Sequence, residues 1–99
     1  MTDLNINNFE QFLKDNPNAV VDLWAPWCGP CRMLGPVIEE VVANHPDYQL
    51  GKVNVDENEE IARQFNCVSI PMVLFFKDGK VVKQFVGYKS KESLEEYFD

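Results

Sequence analysis

Ala19-Val20-Val21-Asp22-Leu23-Trp24-Ala25-Pro26-Trp27-Cys28-Gly29-Pro30-Cys31 is the most informative stretch of this 99-residue chain. Its first seven residues are almost all apolar, the pattern of a strand buried on both faces. Leu34, Val37, Ile38, Val41 and Val42 then recur at helical spacing, which predicts a helix from about Cys31 to Ala43. Pro36 falls inside it, where the missing N–H should kink the helix without ending it. A buried strand that runs directly into a helix puts Cys28 at or just before the helix amino terminus. Unpaired N–H groups and the positive end of the helix dipole stabilise a thiolate there. Pro30 presets the first turn. The three-residue offset brings the Cys31 sulfur within bonding reach of Cys28.

Working outward, Phe9, Phe12 and Leu13 keep helical spacing after Asn7 and Asn8, either of which can cap a first helix, and Pro17 marks a turn. Tyr48–Val55 reads as a second strand built on Leu50, Val53 and Val55. Asp56 and Glu59 form a capping-box-like pair ahead of Ile61, Ala62 and Phe65, so a helix is expected there. Met72–Phe76 and Lys80–Val86 are apolar, β-rich runs around Asp78-Gly79, a dipeptide that tolerates positive φ and signals a hairpin. Ser90 is a plausible cap for a last helix carrying Leu94, Tyr97 and Phe98. A helical crossover makes the first two strands parallel, whereas a hairpin is antiparallel. The expected fold class is α/β: one domain over residues 1–99, with a mixed sheet of four to five strands and helices on both faces.

Composition narrows the partners. The net charge is −7 and the pI about 4.6. Nucleic-acid and anionic-membrane binding both run on clustered Lys and Arg, so neither partner is expected. The acidic runs Asp56–Glu60 and Glu92–Glu96 read as exposed helix surface that favours solubility. Met1-Thr2-Asp3-Leu4-Asn5 has no basic residue and no apolar run, which leads us to expect no secretory leader and a cytoplasmic location. Three cysteines are too few for a secreted disulfide scaffold. In a reducing compartment a Cys-x-x-Cys pair is redox-active or metal-binding rather than structural.

Zinc sites share that spacing, but a structural zinc would need Cys67 and His45 as further ligands, and neither has a closely spaced companion. A permanent structural disulfide over so short a loop would constrain little of the unfolded chain. Asp22 interrupts the apolar strand six residues before Cys28, where a charge is costly. From the strand alone it reads equally as a buried functional acid or as an Asp that reaches water.

Trp27-Cys28-Gly29-Pro30-Cys31 after Val21-Asp22-Leu23-Trp24-Ala25 resembles the active-site signature of thioredoxins. Lys52-Val53-Asn54-Val55-Asp56, Ile70-Pro71, Phe75-Phe76-Lys77-Asp78-Gly79 and Val86-Gly87 follow in that family's order, so the resemblance spans nearly the whole chain. Its amino-terminal strand looks short. The resemblance implies the thioredoxin fold and a general protein dithiol–disulfide oxidoreductase. Cys28 would be the attacking thiolate, Cys31 the resolving thiol and Asp22 the acceptor of its proton, with Lys52 tuning Asp22. It further implies a cis proline at Pro71 and a docking face made by Trp27, Gly29, Pro30, Ile70, Pro71 and Gly87. Trp24 would pack the core and redox loop rather than touch substrate.

The implied partners are disulfide-containing proteins and a flavin- and NADPH-dependent thioredoxin reductase. No bound cofactor and no metal are expected, and the working unit is expected to be a monomer. A thiol oxidase or isomerase of the same fold, or a non-catalytic binding module, are the alternatives. Met72 after the proline, Val68-Ser69 before it and Tyr88 beside Gly87 depart from the family pattern and bear on partner preference. Cys67 reads as a small buried hydrophobe, with a regulatory or dimer-forming thiol as the alternative. His45 reads as a helix-end residue.

Overall fold

The structure, a computed structural model, describes residues 2–98. Five strands form one sheet in the order β1-β3-β2-β4-β5, with β1 at Thr2–Asp3, β2 at Asn18–Trp24, β3 at Gln49–Asn54, β4 at Met72–Lys77 and β5 at Lys80–Val86. β1 and β2 both run parallel to β3, while β4 is antiparallel to β2 and β5. The mixed sheet is as expected, and the amino-terminal strand is indeed short. Asp78 and Gly79 both take positive φ in the β4–β5 turn, the geometry of a tight turn whose twist matches the strands.

Among the described residues four helices cover the sheet: α1 at Phe9–Asp15, α2 at Gly29–Ala43, α3 at Glu59–Gln64 and α4 at Lys91–Glu95. Alternation along the central strands sorts side chains to opposite faces. Val21, Leu23, Leu74 and Phe76 join Phe9, Phe12 and Ile61 beneath α1 and α3. Val20, Val73 and Phe75 join Leu34, Ile38, Val41 and Leu94 beneath α2 and α4. Leu34 and Ile38 are fully buried, each contributing about 1.5–3 kcal/mol by leaving water.

Some boundaries and caps differ from the sequence reading. α2 starts at Gly29, two residues earlier than expected, and continues through Pro36. The N–H missing there would have met the Arg32 carbonyl, and both residues are exposed, so water can take that carbonyl. Asp56 and Glu59 do not form a capping box: Asn58 is the N-cap of α3 and its side chain makes no cap hydrogen bond. Asp56 is occupied elsewhere. Asn8 is the N-cap of α1, but its side chain closes a polar knot instead, with Oδ1 accepting from the Asn5 N–H and Nδ2 donating to the Asp3 carbonyl.

Ser90 caps α4 by accepting from the Ser93 N–H at 3.3 Å. That helix ends at Glu95, and Tyr97 and Phe98 pack beyond it. His45 is more than a helix-end residue. It lies 2.8 Å from the Glu95 carboxylate and stacks on Phe98, which fastens the end of α2 to the terminal segment. The carboxylates of both acidic runs are exposed, as expected, and Asp56 and Glu95 also have partners at the surface.

β5 forms one edge of the sheet. It is interrupted where Phe75 faces Lys83 and Phe76 faces Val81, leaving Val82 in a bulge. Val81, Val82 and Val86 are exposed and only Phe85 is buried.

Candidate active site

The β2–α2 junction delivers the cysteines. Cys28 is the N-cap of α2, in extended conformation, and its sulfur accepts from the Cys31 N–H at 3.2 Å. A sulfur thus takes the capping role usually held by Ser or Asp. The two cysteines are joined as a disulfide, with Cα atoms 5.2 Å apart. Both are buried and pack with Ala25 against Trp24, Val55 and Ile70. In the reduced protein the same N–H and the helix dipole favour negative charge on Cys28.

The loop before β4 closes the site from the other side. Ile70-Pro71 is a cis peptide, and the Ile70 carbonyl oxygen lies 3.8 Å from Cys28 Sγ. Gly87 takes φ +94° and donates its N–H to the Pro71 carbonyl at 2.8 Å. Of the docking residues named from the sequence, Trp27 and Pro30 are exposed, Gly29, Ile70 and Gly87 are half-buried, and Pro71 is buried. The exposed apolar surface here also includes Val68 (94% exposed), one of the departures from the family pattern. A groove of about 340 Å³ runs from Trp27 past Val55 and Ala62 to Cys67, Val68 and Ile70. Cys67 is therefore half-buried, packed against the core beneath α1 and α3 while lining the groove, and burial pushes its thiol up. Met72 points away from this face into the core beneath α1 and α3.

Asp22 is fully buried, which settles that it does not reach water. Neither carboxyl oxygen has a hydrogen-bond partner among the described residues. Burial raises its pKa from 3.8 to about 6; Lys52 opposes the rise and Glu39 adds to it. Lys52 is Asp22's register partner on β3, yet its ammonium donates to Glu39 Oε2 at 3.1 Å. Glu39 was not singled out from the sequence, because nothing local pairs a residue of α2 with one of β3. Among the described residues no three His, Cys, Asp or Glu side chains gather as a metal-binding group. No described helix is long and apolar enough to cross a membrane.

A cysteine pair that closes into a disulfide at a helix amino terminus, on a mixed sheet of this order, defines a dithiol–disulfide oxidoreductase. The thioredoxin family model matches residues 1–99. The thioredoxin of Alicyclobacillus acidocaldarius is 49% identical over 89 residues, covering 89% of this chain and 85% of that protein. The solved structure of Fasciola hepatica thioredoxin superposes with a TM-score of 0.90 at 36% identity, covering 98% of this chain and 95% of its own. The bifunctional thioredoxin reductase/thioredoxin of Mycobacterium leprae is 44% identical over 87 residues, which are 87% of this chain and 19% of that protein. The chain belongs to the thioredoxin family, and its redox-active pair gives it protein-disulfide reductase activity.

Proposed function

We propose that Cys28 attacks a substrate protein's disulfide and Cys31 resolves the product. The Cys28 thiolate bonds to one substrate sulfur and expels the other as a thiolate, leaving a mixed disulfide. Cys31 gives its proton to the Asp22 carboxylate and attacks Cys28 Sγ. The mixed bond breaks, the second substrate thiolate leaves, and Cys28 and Cys31 end as the disulfide. Two electrons have then passed from the dithiol to the substrate. The observation that carries this reading is the Cys28 sulfur itself, which caps α2 through the Cys31 N–H and lies against the Ile70 carbonyl.

Substrate docks in this reading on Trp27, Gly29, Pro30, Ile70 and Gly87, with buried Pro71 acting by shaping the Ile70 backbone. An Asp with a pKa near neutrality suits the proton transfer: it is a stronger base than an ordinary carboxylate and still releases its proton at pH 7. Lys52 opposes the rise and so sets how far it goes.

A flavin- and NADPH-dependent reductase returns the electrons. The Mycobacterium leprae relative, whose name joins a reductase and a thioredoxin in one protein, supports that partner. The working compartment is a reducing one, the cytoplasm, and the working unit is a monomer. The test is a pair of variants assayed on a disulfide-bonded protein. Cys28→Ser should abolish turnover, and Cys31→Ser should accumulate a mixed disulfide through Cys28. Turnover by Cys28→Ser at the parent's rate would end this mechanism in favour of a binding module.

A further inference from the structure

Asp22 and Lys52 sit opposite each other on adjacent strands and project to the same side of the sheet, beneath α2. An ion pair between them would be the simplest outcome of that register. It does not form. The Asp22 oxygens have no hydrogen-bond partner among the described residues, while the Lys52 side chain, only 14% exposed, carries its ammonium to Glu39 on α2. The ammonium is held closely there: a Cβ at Gly35 would lie 3.2 Å from it, and the Trp24 ring centroid is 5.8 Å away. The charged groups acting on Asp22 are Lys52 from β3 and Glu39 from α2, and the β4 neighbour Val73 brings none.

We propose that Glu39 is a positioning residue for disulfide exchange: it holds the Lys52 ammonium against α2, so that Asp22 stays unpaired and able to take up and release the Cys31 proton. The inference rests on reading Asp22 as that proton acceptor. A lysine released from Glu39 would turn its ammonium toward the buried carboxylate, because a buried charge gains most from an opposite one. Asp22 would then stay ionised at lower pH and become a weaker base. Glu39, 45% exposed, has little share in the core, so its replacement leaves folding intact.

The test is the titration of the Asp22 carboxyl, followed by its carbon-13 resonance in the oxidised protein, where neither Cys28 nor Cys31 ionises. The resonance is assigned by its loss in Asp22→Asn. Glu39→Gln should lower the midpoint by about one pH unit. In a Lys52→Met background, where Asp22 titrates higher, Glu39→Gln should move it far less. An unmoved midpoint in the single variant, or an equal fall in both backgrounds, would overturn the proposal, because Glu39 would then not act through Lys52. The base reading is tested separately with Asp22→Asn by the pH dependence of mixed-disulfide resolution. If that dependence is unchanged, Asp22 is no proton acceptor, and the role given to Glu39 falls with it whatever the titrations show.

Discussion

The Trp27 indole N–H donates to the Asp56 carboxylate at 2.9 Å, a contact that joins residues 29 positions apart. It pins an exposed aromatic of the active-site segment to the β3–α3 loop and fixes one wall of the groove that ends at Val68. Asp56 thereby holds the groove wall in place rather than capping a helix.

Asp56→Ala frees the indole while leaving the cysteines untouched. The lost hydrogen bond is of order 1 kcal/mol, and the expected effect is about a fivefold fall in kcat/KM for protein disulfides. A small-molecule disulfide that never touches Trp27 should be reduced at the parent rate. Equal losses for both kinds of substrate would show that Asp56 acts on the cysteines instead.

Asp22 makes stability depend on pH. Between pH 3.8 and about 6 the folded protein keeps a proton that the unfolded chain has released. Stability contributed at this site is therefore full below pH 3.8, declines as pH rises through that window, and stays low above it. The cost at neutral pH is of order 3 kcal/mol. Asp22→Ala should raise the urea midpoint of the oxidised protein at pH 7.5, less a small cavity penalty, and lose that advantage near pH 4. A variant no more stable than the parent at pH 7.5 would contradict the burial cost.

Gly51 lies where β3 meets β1 and α1. A Cβ there would overlap Leu4 and come within 3.1 Å of the Phe12 ring. Gly51→Ala should cost about 1–3 kcal/mol by overpacking, measured as a lowered Tm. The reduction potential should stay that of the parent, since the clash is remote from Cys28.

Potential separates reductant from oxidant. A redox-buffer titration followed by Trp24 and Trp27 fluorescence should give a two-electron potential near about −270 mV. A value of about −180 mV or higher would assign the chain to oxidation or isomerisation.

How much the sequence disclosed depended on whether a residue's partner was local. The central strands, the long helix and the Asp78-Gly79 turn were legible because periodicity and φ preference are encoded within a few residues. Cys28 and Cys31 were legible for the same reason; Asp22 stood out because a carboxylate interrupts an apolar run, but whether it reached water was decided only by the packing around it. Asp56 was misread as a cap because its partner Trp27 arrives from another element. Glu39 and His45 were overlooked or underrated because Lys52, Glu95 and Phe98 reach them only after the chain has folded. Apolar periodicity also shortened α2, since Gly29 and Pro30 in its first turn add nothing to the apolar stripe.

β5 borders the sheet with three solvent-facing valines, which is the kind of border on which a second chain can add a strand. The bulge at Val82 breaks the even row of free N–H and C=O groups that such an addition would need, and Lys80 and Lys83 set charge on either side of it. The opposite border, β1, is two residues long among the described residues and offers little to copy. Both rims, as described, thus lack the unbroken row of free backbone groups that strand-by-strand addition copies, while the apolar surface around the cysteines stays open.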